Sequence, residues 1–220
     1  MATRRTSSAI PVSVGYDSDI HRWRVHYPDY PGHGFATSSF TSIDSEARRD
    51  LVEITNTTPS RLRVAVVVDI HADGVDVGAA LEQLSELRAA ARTYDDRRVH
   101  AARSAIALLD TLPSSDRVSD RAIGELINYS RQRVEQMRRD IPAPTEVVSV
   151  SSPLDPPVRA AFRKLTRARQ SLTETDAQIA ALVRRIIAAL DTLGMYDIQI
   201  GDLVGLSRQR IPQIRAERPV

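Results

Sequence analysis

The sequence predicts a small α+β domain followed by a mostly helical region made of two copies of one unit. Three observations carry this. Residues 8–70 alternate apolar and polar side chains at the period of strands, with one helical interruption. Residues beyond about 76 are rich in Ala, Leu and Arg at helical spacing. Within that second part, one block of sequence occurs twice.

The strands come first. Ile10 to Tyr16 is strand-like, and His21 to Tyr27 alternates so that Trp23, Val25 and Tyr27 share a face. Pro28-Asp-Tyr-Pro-Gly32 is a turn, and Gly34 to Phe40 forms a third strand. Thr41 or Ser42 then caps a helix bearing Ala47, Leu51 and Ile54 on one side. Arg61 to Asp69 closes the domain as a strand with Leu62, Val64, Val66 and Val68 on one face. The order is β-β-β-α-β.

The repeat organises the rest. Ile123-Gly-Glu-Leu-Ile-Asn-Tyr-Ser-Arg-Gln-Arg-Val-Glu-Gln-Met-Arg138 recurs as Ile200-Gly-Asp-Leu-Val-Gly-Leu-Ser-Arg-Gln-Arg-Ile-Pro-Gln-Ile-Arg215. Upstream, Ala107-Leu-Leu-Asp-Thr-Leu112 is echoed by Ala188-Ala-Leu-Asp-Thr-Leu193, with four extra residues in the first copy. A long helix opens each copy, at about 77–112 and 158–193. In the second, Val158, Leu165, Leu172, Ile179, Ile186 and Leu193 recur every seventh residue, interrupted by Arg169 and Asp176. The first changes phase near Asp95-Asp96-Arg97-Arg98, where a break is expected. Between the copies, residues 141–157 hold five prolines and read as a semi-extended tether, in which Val147–Val150 adds a short strand or packs locally. The domains expected are therefore 8–70, 76–140 and 158–217, joined through 141–157.

Each copy ends in a short helix, a tight turn and a second short helix. In the first, Ser119 or Asp120 caps a helix through Ile127, Asn128-Tyr129 turns, and Ser130 caps a helix to about Arg139. In the second, Gln199 to Val204 precedes the turn Gly205-Leu206, and Ser207 caps the last helix. Asn128 and Gly205 occupy matching positions and tolerate left-handed backbone. This is the arrangement of a helix-turn-helix, whose second helix lies in the major groove of DNA.

With Val134 and Met137 facing inward, Gln132, Glu135, Gln136 and Arg139 project outward, flanked by Arg131, Arg133 and Arg138. The second copy projects Gln209, Pro212, Gln213 and Ala216, flanked by Arg208, Arg210 and Arg215. Glutamine reads adenine and arginine reads guanine, each bidentately, and flanking arginines hold phosphates. The candidate DNA contacts are Ser130, Arg131, Gln132, Arg133, Glu135, Gln136 and Arg139. In the second copy they are Ser207, Arg208, Gln209, Arg210, Gln213 and Arg215. The two half-sites read would share a core and differ at an edge. Pro212, about five residues into the expected helix, predicts a kink there. Fully extended, the tether reaches about 56 Å at ~3.3 Å per residue, more than the roughly 34 Å of one DNA turn.

The N-terminal motif carries a further resemblance. Trp23-x-x-x-Tyr27-Pro28-Asp29-x-Pro31-Gly32, then a helix opening near Ser42 with Ser45-Glu46-Ala47, resembles the HicB antitoxin domain. Tyr30 stands where that family commonly has leucine, and the second helix-turn-helix departs from its usual single one. The resemblance implies a partial ribonuclease-H-like or double-stranded-RNA-binding-like module without catalysis. It also implies a small HicA-like ribonuclease toxin as partner, neutralised by that module, with the C-terminal part repressing transcription.

Composition excludes other classes. The chain has 220 residues, 42% of them apolar, so it can bury cores. A net charge of +2 leaves no bulk charge to neutralise phosphate. Lys164 is the only lysine among 30 basic residues, the skew of a GC-rich coding genome. The absence of cysteine excludes disulfides, thiolate catalysis and cysteine-ligated zinc. No apolar run approaches the roughly 20 residues of a membrane span, so a cytoplasmic protein, nucleoid-associated on DNA, is expected. His21, His26 and His33 lie near Asp17, Asp19 and Asp29, but the strand alternation separates His21 from His26. No pair has zinc-site spacing, and no phosphate loop or nucleophile elbow occurs. Neither an enzyme, a metal nor a cofactor is expected. Aromatic residues, at 5%, are too few for single-stranded RNA stacking. The partners expected are double-stranded DNA, a small toxin, and a second copy joined through the long apolar stripes.

Overall fold

A computed structural model describes residues 9–113, 117–141, 150–153 and 155–217. The N-terminal part is a four-stranded sheet of β1 (Ile10–Asp17), β2 (Arg22–His26), β3 (Gly34–Thr37) and β4 (Val64–Val68). Its order is β3-β2-β1-β4. β1 pairs antiparallel with β2, Tyr16 opposite Trp23, and parallel with β4, Val12 opposite Val66. The parallel pairing requires a crossover, supplied by α1 (Ile43–Thr55). Ile43, Ala47 and Leu51 recur every fourth residue on α1 and are buried. Val12, Val14, Trp23, Val25 and Tyr27 complete this core, and burial raises the Tyr27 phenol above its ordinary range. Ser42 precedes α1 as expected but makes no side-chain cap bond.

β4 departs from its expected pattern. Val66 and Val67 are 38% and 52% exposed, because among the described residues the strand is at the sheet edge, next to β1. A small hairpin, β5 (His71–Ala72) and β6 (Val75–Asp76), follows and was not anticipated. Gly74, with φ of +70°, makes its turn.

The remainder is helical: α2 (Val77–Asp110), α3 (Asp120–Ile127), α4 (Arg131–Arg139), α5 (Pro156–Thr192), α6 (Asp197–Val204) and α7 (Arg210–Ala216). α2 runs unbroken through Asp95–Arg98, where the change of phase had suggested a break. The charged residues there are accommodated on exposed or half-buried positions. α5 takes in Pro156 and Pro157, whose missing N–H groups are harmless in a first helical turn, so the tether is shorter than expected. Its tail is also folded. Val150 is buried and donates its N–H to Thr111, while the Asp155 carboxylate accepts from Ser151 and Ser152 N–H at 2.7 and 3.1 Å. The strand expected at 147–150 falls mostly outside the described residues.

Contacts divide the chain into two units, and not along the expected boundaries. One is Met1–Ser85 with Ala180–Val220; the other is Glu86–Ile179. Both divisions fall within α2 and α5. In the Glu86–Ile179 unit, Ile106 and Leu109 of the α2 end, with Leu112 just beyond it, cluster with Val158 and Leu165 of the α5 start and with α3 and α4. An amphipathic helix must bury its stripe, and here the start of α5 is covered within the chain. The seven-residue seam is accordingly discontinuous: Val158, Leu165 and Ile186 are buried, Leu172 and Ile179 only partly. Arg169, which interrupts it, donates to the Ile127 carbonyl at the end of α3 and lies over the Tyr129 ring.

Candidate nucleic-acid interface

The first helix-turn-helix is α3 and α4. Ser119 caps α3 by accepting from Ala122 N–H at 3.3 Å, and Asn128 terminates it in left-handed backbone at φ of +49°. Ser130 caps α4 by accepting from Arg133 N–H at 3.2 Å. Val134 and Met137 are fully buried. Gln132, Gln136, Arg131, Arg133 and Arg139 are exposed on the opposite side, and Glu135 is half-buried.

The second copy, α6 and α7, has the same plan with a different entry. Gly205 supplies the left-handed residue at φ of +69°, and Ile211 and Ile214 are buried where Val134 and Met137 stand. Gln209, Pro212, Gln213, Ala216, Arg208, Arg210 and Arg215 are exposed. Ser207 is not the cap. α7 starts only at Arg210, after Gln209 in right-handed backbone, and the Ser207 carbonyl accepts from Arg210 N–H at 2.9 Å. Pro212 explains the late start. It sits in the first turn of α7, where its missing N–H removes no helical bond, so the expected mid-helix kink is absent.

Two glycines set the distance between the paired helices. A Cβ on Gly124 would lie 2.5 Å from the Tyr129 carbonyl oxygen, and one on Gly201 would lie 2.6 Å from that of Leu206. Both copies turn so tightly that only glycine fits.

The polar side chains fall into free and engaged groups. Arg133 donates to Gln136 at 2.7 Å, and Arg210 matches it by donating to Gln213 at 3.1 Å and pairing with Glu217 at 2.8 Å. Arg131 pairs with Glu135 at 3.0 Å. Pro212 replaces that acid in the second copy, which leaves Arg208 without an ion-pair partner among the described residues. Gln132, Gln209 and Arg139 likewise make no side-chain bond among them.

Arg138 and Arg215 are different. Arg138 donates from Nε and Nη2 to Asp110 at 2.8 and 2.6 Å and also pairs with Asp120. Arg215 does the same with Asp191, at 2.9 Å from Nε, and with Asp197 at 2.6 Å. Each guanidinium ties the last helix to the end of the long helix and to the start of the first short one. The hydrogen bonds to Asp110 and Asp191 raise both arginines above their ordinary range. Arg215, expected at the DNA, is thus held by two carboxylates of its own unit. Sequence reasoning missed this role, although Asp110 and Asp191 stood in the repeated block. Arg138→Leu is expected to lose about 1–2 kcal/mol of stability, discounted for its part-exposure, as read by a lower urea midpoint; an unchanged midpoint contradicts the clamp.

A second missed feature belongs to the other unit. Gln199 is 4% exposed. Its Oε1 accepts from Tyr16 Oη at 2.9 Å and from Tyr196 N–H at 3.1 Å, while Nε2 donates to the His21 carbonyl at 3.0 Å. The His21 ring lies 4.8 Å from that of Tyr196, so this histidine is part of a packing contact. Burial raises the Tyr16 phenol above its ordinary range. The copies differ here: Ala122 stands where Gln199 is, and Leu126, 56% exposed, matches Leu203, 8% exposed. His26 and His33 are exposed. No described helix is long and apolar enough to cross a membrane.

Comparison of the chain with models of protein families, with curated proteins and with solved structures finds no match.

Proposed function

We propose that the chain is a sequence-specific DNA-binding regulator of transcription that reads two neighbouring major grooves with α4 and α7. The observation that carries this reading is the repetition of one geometry. In both copies a left-handed turn residue orients a second helix whose apolar side is buried and whose Gln and Arg side is open. Gln132 and Gln209 are the base-reading pair, since each is exposed and makes no side-chain bond among the described residues. Arg139 and Arg208 hold phosphates. The N-terminal sheet, on its resemblance to HicB antitoxins, is the module that senses a protein partner.

The test is a footprint of the full chain on its upstream DNA. Gln132→Ala and Gln209→Ala are each expected to weaken binding by about 1–3 kcal/mol and to relax preference at different positions of the site. Arg208→Ala is expected to weaken all sequences alike and to lower the salt slope by about one. Equal, purely salt-dependent binding to random DNA overturns the reading.

A further inference from the structure

The open edge of β4 combines two features that rarely occur together without a partner: a free backbone ladder and an apolar sequence, Val64-Ala-Val-Val-Val68. Parity shows which groups are free. Ile10 N–H donates to the Arg63 carbonyl, and Asp69 N–H donates to the Val14 carbonyl. In a parallel ladder with Val12 opposite Val66, the odd-numbered residues therefore bond to β1. Val64, Val66 and Val68 point their N–H and C=O groups away from the sheet. At Val68 the first turn of α2 already covers the carbonyl, because a Cβ on Gly78 would collide with that oxygen. Among the described residues Val64 and Val66 remain open.

We infer that this edge pairs antiparallel with β4 of a second copy of the chain, about a two-fold axis at Ala65. In that register Val64 of each copy meets Val66 of the other, so the two open residues form four backbone hydrogen bonds. An axis at Val66 would instead require the covered carbonyl of Val68. Charge agrees with the choice. The strand is entered through Arg61, exposed, and left through Asp69, whose side chain is 62% exposed. Antiparallel pairing about Ala65 brings Arg61 of each copy toward Asp69 of the other, where parallel pairing would set like charges side by side. The exposed faces of Val66 and Val67 gain neighbours, and the two sheets become one of eight strands.

The chain has no cysteine, so a single one gives a clean test. Ala65 is exposed and falls on the axis as a non-hydrogen-bonded pair, with Cα atoms about 4.5 Å apart, inside disulfide range. The full chain carrying Ala65→Cys is expected to form a disulfide-linked dimer under mild oxidation, and Asp73→Cys, in the turn of the β5–β6 hairpin, is not. Ala65→Lys places two like charges opposite each other. It is expected to weaken the dimer about fivefold or more by light scattering, with an unchanged far-ultraviolet circular dichroism spectrum. A monomeric parent chain at tens of micromolar overturns the inference. So does a dimer that ignores Ala65→Lys and leaves Ala65→Cys unlinked, which would place the contact on another surface.

Discussion

Gly201→Val is expected to destabilise the second helix-turn-helix by about 3 kcal/mol, the upper end for forcing a side chain into a filled site. The reason is geometric. The new Cβ would stand 2.6 Å from the Leu206 carbonyl oxygen and 3.6 Å from the Arg208 nitrogen, both backbone atoms that move only if the turn opens. A mid-helix glycine itself costs about 1 kcal/mol relative to alanine, so its presence at both matching positions marks the close approach it permits. Gly124→Val should do the same to the first copy. The two variants are distinguishable because the single tryptophan, Trp23, lies in the Met1–Ser85 and Ala180–Val220 unit. Gly201→Val is expected to lower the midpoint followed by tryptophan fluorescence. Gly124→Val is expected to lower mainly the helical signal. Equal midpoints for both variants and the parent would show that the turns tolerate the branch.

Gln199→Leu ranks next, at about 2–4 kcal/mol. The substitution keeps the volume and removes three hydrogen bonds, leaving Tyr16 Oη, the Tyr196 N–H and the His21 carbonyl without this partner. A buried group left unsatisfied costs about 1–3 kcal/mol, and part-burial of these partners sets the total below the sum. Tyr16→Phe removes one of these three bonds, together with the 3.2 Å contact of Tyr16 Oη with His21 Nδ1, and is expected to cost about 1 kcal/mol. Urea unfolding followed at Trp23 measures both. A leucine variant as stable as the parent would show that packing of Tyr196 on His21 holds the contact alone.

Much of this fold was legible because it depends on local chemistry. The three N-terminal strands and α1 follow from alternation and from Ala47 and Leu51 at helical spacing. Asn128, Ser130 and Ser119 are residues whose side chains or backbone preferences act within three positions of themselves. What was hidden depends on distant partners. β4 reads as an inward-facing strand by its alternation, and only the sheet order exposes Val66. The late start of α7 was recoverable in principle, since proline belongs in a first turn, but Ser207 offered the more familiar cap. The Arg138 and Arg215 clamps join residues 18 to 28 positions apart, beyond any periodicity. Gln199 had one available signal: it is polar where the other copy has Ala122.

The way α2 and α5 cross the division between units has a consequence for synthesis. Glu86–Ile179 is one uninterrupted stretch, whereas the other unit is made of the two ends of the chain. The inner stretch is thus complete as soon as Ile179 has left the ribosome, with α3, α4 and the start of α5 all available to α2. The N-terminal sheet must wait for Gln199, 183 residues after Tyr16, to close its contact. Contacts of such separation form slowly and follow local ones. The helix pair α3 and α4 therefore has its whole unit outside the ribosome before Gln199 can reach Tyr16, and the contact between the two ends of the chain closes last.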